Sequence, residues 1–277
     1  DNVRAIVEEP GSNGRIIWIG TNNGDIDRWN RDTGTFTHYS FKSPKGIIDH
    51  NEIFCLHFDR DGVLWAGTGS ALVRLNKDGS FERFSWEFKN KQYGNRFLNV
   101  RSIYEDTNGH LWLGTMGGGL KKRDRQTGNV SHYLHNRDDT ATISSNLIYT
   151  VEGTMENGRE ILWIGTFGGG LNRLDPATGS FTRYPYKSLE PDSSGSGYIV
   201  SIFDGPGCPA SGGKKGLWIG TFGGGLSFLD HASGQFTRYT MKDNLPDHTV
   251  YALLCDGRDN LWLSTNMGLS RFDIDKG

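Results

Sequence analysis

Three glycine runs, Gly117-Gly118-Gly119, Gly168-Gly169-Gly170 and Gly223-Gly224-Gly225, come nearest in this 277-residue chain to a phosphate cradle. A nucleotide-binding run lies between a strand and a helix whose N-terminus receives the phosphate. Here each run lies between two short segments of strand character, so it reads as a turn needing positive φ and close backbone approach. Asp59-Arg60-Asp61-Gly62 opens like a calcium loop but has neither Asp nor Asn at the fifth position and no Glu at the twelfth. It reads instead as a turn between strands. The eight histidines, at 38, 50, 57, 110, 132, 135, 231 and 248, show no HExxH or His-x-His spacing. Cys55, Cys208 and Cys255 form no CxxC pair, and three thiols cannot all pair within one chain, so neither a metal site nor a disulfide framework is expected. There is no G-x-S-x-G elbow or other nucleophile constellation. The expectation is a chain without catalytic residues, metal or cofactor.

Composition narrows the partners. Lys plus Arg is 30 against Asp plus Glu 32, a net charge of -2, which offers no basic field for nucleic acid. No stretch approaches the ~20 apolar residues of a membrane span, and no basic segment followed by an apolar one opens the chain. Gly at 39 residues, with 8 Trp, 10 Tyr and 15 Phe, is the balance of many tight turns joining aromatic-bearing strands.

The elements that carry these residues are repeats. A Leu-Trp-Ile-Gly-Thr pentad or a close variant recurs six times, with its Trp at 18, 65, 112, 163, 218 and 262. The second copy reads LWAGT and the sixth LWLST. Such spacing is the length of a four-stranded propeller blade. The third copy shows the strands plainly: Val100 to Glu105, the turn Asp106-Thr107-Asn108-Gly109, Leu111 to Thr115, the glycine run, Leu120 to Arg123, a second turn, and Val130 to Tyr133. The fourth segment recurs as Phe36 to Tyr39, Phe81 to Phe84, Phe181 to Tyr184 and Phe236 to Tyr239. One isolated blade would leave its aromatic faces wet, and stacking blades buries them. The repeated Trp reads as core between blades, and Cys55, at a position otherwise held by Ala5, Ser102, Thr150, Ser201 and Ala252, as a small buried side chain.

The expected fold is therefore all-β, a β-propeller of six four-stranded blades at about 1–48, 49–97, 98–144, 145–195, 196–246 and 247–277. It is read as one domain over 1–277, part of a larger protein, with the last blade stopping after its third strand.

The pattern N-x-V-x-x-I-x-x-D-x-x-G-x-L-W-I-G-T-x-x-G-G-L-x-R-x-D, matched best by Asn99 to Asp124, Asn146 to Asp175 and Thr249 to Asp273, resembles the two-component regulator propeller repeat. The resemblance covers essentially the whole chain. It implies the periplasmic sensor region of a hybrid two-component system, a receptor that recognises an oligosaccharide, acts as a dimer and feeds a histidine kinase outside this chain. The chain departs from the complete pattern in having no kinase, no receiver, no membrane span and fewer repeats than such propellers usually carry. Related propellers include antibiotic-linearising lyases, whose catalytic His matches no position here.

In a propeller the loops from second to third strand and from one blade to the next open on one face, around the axis, where a ligand touches every blade. The positions expected there are Arg4, Asn23, Arg101, Met116, Tyr149, Phe167, Tyr198, Phe222, His248 and Tyr251, joined by Phe54. Aromatic faces with Arg and Asn donors suit a sugar, whose CH faces stack and whose hydroxyls need directional partners. Trp86 and Tyr93 are expected as exposed aromatic anchors, and Gly205 to Gly216 as a mobile insertion. The leading expectation is a non-enzymatic ligand sensor. A protein-interaction scaffold and a lyase-like enzyme are the alternatives.

Overall fold

The computed structural model describes residues 2–41, 51–84, 86, 99–184, 197–204, 215–256 and 260–273. His50, Tyr93 and Cys208 lie outside them, as does most of the insertion expected at Gly205 to Gly216.

Two compact units divide the chain, Asp1–Tyr133 and Leu134–Gly277. The first holds β1 (Val3–Glu8), β2 (Ile16–Thr21), β3 (Asp25–Asn30), β4 (Thr35–Ser40), β5 (Ile53–Phe58), β6 (Leu64–Thr68), β7 (Leu72–Leu75), β8 (Phe81–Phe84), β9 (Val100–Glu105), β10 (Leu111–Thr115), β11 (Leu120–Arg123) and β12 (Val130–Tyr133). The second holds β13 (Ile148–Glu156), β14 (Arg159–Thr166), β15 (Leu171–Asp175), β16 (Ser180–Tyr184), β17 (Ile199–Asp204), β18 (Gly216–Thr221), β19 (Leu226–Asp230), β20 (Phe236–Tyr239), β21 (Val250–Cys255), β22 (Asn260–Thr265) and β23 (Gly268–Asp273). Every sheet is an antiparallel meander in chain order, five of four strands and the last, β21-β22-β23, of three. The architecture is a β-propeller of six blades, and the four strands of the third blade fall where the sequence places them.

Turn chemistry sets the strand boundaries. Asp106 Oδ1 accepts from the amides of Asn108 and His110, while Gly109 takes φ 83°, a conformation that a side chain resists. The other carboxylate oxygen, Oδ2, accepts from the Trp112 indole at 2.8 Å. Asp59 does the same for its own turn and for Trp65, again at 2.8 Å, and Asp61 is held by Arg125. The calcium-like motif is thus a turn that fixes a tryptophan.

The pentad glycine explains the stacking of blades. A Cβ on Gly20 would come within 2.4 Å of Ile53 Cγ2, and one on Gly165 within 2.5 Å of Ile199 Cγ2. Within the first unit Ile53 and Val100, and within the second Ile199 and Val250, seat on the pentad glycine of the blade before. Ile53, Val100, Ile148, Ile199 and Val250 are all fully buried. Around these seats lie apolar clusters built on Trp18, Trp65, Trp163 and Trp218, covered by fourth-strand aromatics such as Tyr39, Phe84, Tyr184 and Tyr239.

Two expectations are corrected. Trp86 packs against the cluster of Trp65, Leu72 and Leu113, so it is part of the core edge rather than an exposed anchor. Cys255 is disulfide-bonded, which an odd cysteine count did not suggest. Cys55 is a free thiol, and burial pushes its pKa up to about 12.

Candidate ligand-binding site

The first strand of every blade is irregular at one place. Val3 pairs with Thr21 and Ala5 with Gly20, so that Arg4 has no partner across the ladder. The same skip passes over Phe54, Arg101, Tyr149, Val200 and Tyr251 in the other five blades. A bulge of this kind turns one side chain out of the alternation of the strand and commonly aims it at a functional surface. It lets one dipeptide do two jobs. Where the seat is made, the β-branched residue packs on the preceding blade, and the next residue leaves the alternation of the strand.

In the first unit the released side chains are Arg4, Phe54 and Arg101. Arg4 is exposed, and the Arg101 guanidinium lies flat on the Phe54 ring, 3.6 Å from its centroid. Met116, half-buried, donates its amide to the Asn99 carbonyl at 2.9 Å. Asn23 is exposed beside Asn22, whose side chain accepts from the Asn2 amide.

The second unit presents rings. Phe167 stacks on Tyr198 with centroids 3.8 Å apart and planes 6° apart, and the Tyr149 ring lies 6.0 Å from Phe167, its plane tilted by 27°. Phe222 meets Tyr251 edge to face at 6.3 Å. The Tyr251 hydroxyl donates to Asn266 Oδ1 at 2.9 Å, and Asn266 Nδ2 donates to Asp247 Oδ1 at 3.1 Å. His248 is exposed, and its backbone carbonyl accepts from the Gly225 amide. Tyr149, Phe167 and Tyr198 are half-buried and spend their faces on one another, whereas Phe222 and Tyr251 are 45% and 44% exposed. The open platform of this unit is therefore Phe222 and Tyr251, with the Asn266 amide at its edge.

One group escaped the sequence reading. Lys121 is fully buried beneath the Gly117 to Gly119 turn, its ammonium donating to the Gly118 carbonyl at 3.1 Å and lying 2.9 Å from His132 Nδ1. Burial draws its pKa down to about 8. The signal was present in the repeat, since the same position holds Val73, Asn172 and Ser227, all buried. Among the described residues no cluster of three or more His, Cys, Asp or Glu is arranged to hold a metal.

Residues 47–70, 96–117 and 244–267 match the family described as two component regulator propeller. Three segments of the chain are therefore similar to that repeat. Over 270 residues it is 23% identical to "Histidine kinase P4" of Formosa agariphila, a match covering 94% of this chain and 18% of that protein. The chain thus spans about a fifth of the length of that relative. Among solved structures it is similar to the extracellular domain of a putative hybrid two component system from B. thetaiotaomicron, at 23% identity and TM-score 0.53, over 98% of this chain and 38% of the other. It is also similar to virginiamycin B lyase from Staphylococcus aureus, at 18% identity and TM-score 0.68, over 98% of this chain and 84% of the other. At these identities the structural likenesses show the fold alone. Among the described residues no helix is long and apolar enough to cross a membrane.

Proposed function

We propose that this regulator propeller is the ligand-sensing, extracytoplasmic domain of a two-component-type receptor, and that it acts by binding rather than by turnover. The single observation that carries the reading is the bulge shared by all six first strands, which spends one residue per blade on the mouth and varies its chemistry from Arg to Phe to Tyr. Side chains released in this way, on strands otherwise locked by their neighbours, make a rigid surface whose specificity is free to change. Similarity to part of a histidine kinase supports an output kinase outside this chain. The disulfide of Cys255 supports an oxidising compartment, which in a bacterium is the periplasm or beyond.

The ligand class we favour is an oligosaccharide. One sugar ring would stack on Phe222 and Tyr251, and its hydroxyls would meet Asn266 and the Tyr251 hydroxyl. Calorimetry of the 277-residue protein against a panel of oligosaccharides tests this. Saturable binding to one glycan class, weakened about five- to 150-fold by Phe222→Ala, is expected, because one stacked ring is worth about 1–3 kcal/mol. No response to any glycan together with tight binding to a protein would favour the interaction scaffold. Substrate turnover that a chelator abolishes would favour an enzyme.

A further inference from the structure

The fourth blade is built differently at the end away from the mouth. Its β13 and β14 run to nine and eight residues, while none of the other described first or second strands exceeds six. The two pair to the tip, where Glu156 stands opposite Arg159 across a two-residue turn of Asn157 and Gly158, both at positive φ. Alternation puts Glu156, Arg159 and Ile161 on the face that carries Trp163. The pairing of Trp163 with Arg173 brings Arg173 and Asp175 of β15 to the same face. These five side chains and Asn157 line a cleft of about 420 Å³, a size common among small-molecule sites.

The first blade has a like pairing of acid and arginine with nothing left over. Arg28, opposite Trp18 as Arg173 is opposite Trp163, donates to Glu9 from Nε to Oε2 at 2.9 Å and from Nη2 to Oε1 at 3.2 Å. Glu9 Oε2 also accepts from the Trp18 indole. In the fourth blade Thr154 takes the indole N–H at 3.3 Å, and both bonds from Arg173 to Glu156 end on Oε2, at 3.2 and 2.7 Å. Glu156 Oε1 is buried and has no hydrogen-bond partner among the described residues. The terminal torsion of a glutamate is broad, so a small turn of the carboxyl brings this oxygen to the cleft. Asp175 spends Oδ1 on the amides of Ala177 and Thr178 and keeps Oδ2. Arg159 is exposed and paired with no carboxylate among the described residues.

The lining thus carries two acids and two guanidiniums, with carboxylate oxygens and one guanidinium unspent. A metal ion or a phosphate would meet two like charges there. Among the described residues no aromatic face stands in the cleft for a sugar ring, since Trp163 is 2% exposed and stacked against His231. A ligand with a cation and an anion close together satisfies both unspent groups at once. We infer that the cleft is a second binding site, for an α-amino acid in its zwitterionic form. The carboxylate of the ligand lies on the Arg159 fork and its ammonium between Glu156 Oε1 and Asp175 Oδ2, while Asn157 at the rim faces its side chain. The cleft shares no residue with the mouth, so the site stands whether or not the mouth binds an oligosaccharide.

Thermal melts of the 277-residue protein with each proteinogenic L-amino acid, followed by calorimetry of those that respond, test this. At least one amino acid should raise Tm and bind saturably. Its N-acetyl derivative and its amide each lack one of the two charges, and each should bind at least about tenfold more weakly. Arg159→Ala, at an exposed position, should leave the Tm of the unliganded protein unchanged and remove binding. Arg159→Lys keeps the charge but loses the fork, and should weaken binding at least about fivefold. Hydrogen exchange should slow on binding at the tip of β13 and β14. The inference is overturned if no amino acid binds, if the N-acetyl form and the amide bind as tightly as the parent, or if binding survives Arg159→Ala. Protection at Phe222 and Tyr251 in place of the hairpin, or displacement of the amino acid by an oligosaccharide, would overturn it equally.

Discussion

At the turn end of the blades one contact recurs, while at the mouth end hardly any does. Indole N–H groups of Trp65, Trp112 and Trp262 all donate to the aspartate six residues earlier, and those of Trp18 and Trp163 to Glu9 and Thr154 nine residues earlier. A cation lies over the tryptophan in several blades, Arg28 on Trp18, Arg74 on Trp65 and Lys122 on Trp112. At the mouth the six released residues are two arginines, a phenylalanine, two tyrosines and a valine. The same strands serve both ends, so the difference is one of duty. A blade must fit its neighbour at the tryptophan, and nothing in the stacking dictates what stands on the bulge.

The largest expected effect comes from the repeated end. Trp112 is fully buried, bonded to Asp106 and set 5.4 Å from Tyr133. Trp112→Ala should cost about 3–5 kcal/mol, by lost burial and the cavity left behind. Urea denaturation should show this as a lower midpoint. Asp106→Ala, which leaves the indole N–H unbonded and the turn uncapped, should cost about 1–3 kcal/mol.

Next in size is the seat between blades. Gly165→Ala places a methyl 2.5 Å from Ile199 Cγ2 and 2.6 Å from Thr150 Cγ2, so the following blade must shift or its side chains must leave their rotamers. A loss of about 1–3 kcal/mol is expected. Gly158→Ala is the contrasting substitution. A Cβ there meets nothing within 4 Å, and only the positive φ of 78° opposes it, so its cost should stay near 1 kcal/mol.

Glu152 supplies a pH-dependent comparison. Burial raises its carboxyl pKa to about 7, with the nearby Asp204 charge adding to the effect. The folded chain therefore holds a proton that the unfolded chain gives up, and stability falls as pH rises from about 4.5 to 7. Because the side chain keeps some contact with water, the loss is discounted to about 1–2 kcal/mol. Glu152→Gln should recover it at pH 8 and leave stability near pH 4 unchanged, as thermal melts at the two pH values would show.

These differences also explain what could be read from the residues alone. Strand limits were legible because Asp-x-x-Gly turns and glycine runs act locally. The tryptophan core was legible because six copies stand in one phase. The bulge was not, since it is a two-against-one count between paired strands, and Arg4 and Tyr149 look like ordinary alternating residues until Thr21 and Thr166 are seen to pair past them. Trp86 was misread because loop position suggested exposure, while its ring had the Trp65 cluster within reach. No local pattern announces the disulfide at Cys255. At the released positions sequence reading named Arg4, Phe54, Arg101, Tyr149 and Tyr251 but not Val200, and it gave no division into rings that stack on each other and rings that stay open.

The smallest effect on stability tests that division most sharply. Phe222 is 45% exposed and touches Tyr251 only edge to face, so Phe222→Ala should change stability by no more than about 0.5 kcal/mol. Phe167 sandwiches against Tyr198 at 3.8 Å and has Tyr149 6.0 Å away, and Phe167→Ala should cost several times more. If both rings were ligand platforms, the two variants would lose binding alike while differing in stability. If the stack is scaffold and Phe222 is platform, Phe222→Ala loses ligand at full stability, and Phe167→Ala loses stability first. Melting curves of the two variants beside their binding isotherms separate these outcomes. Equal stability losses would show that the mouth obeys the same packing rule as the turn end.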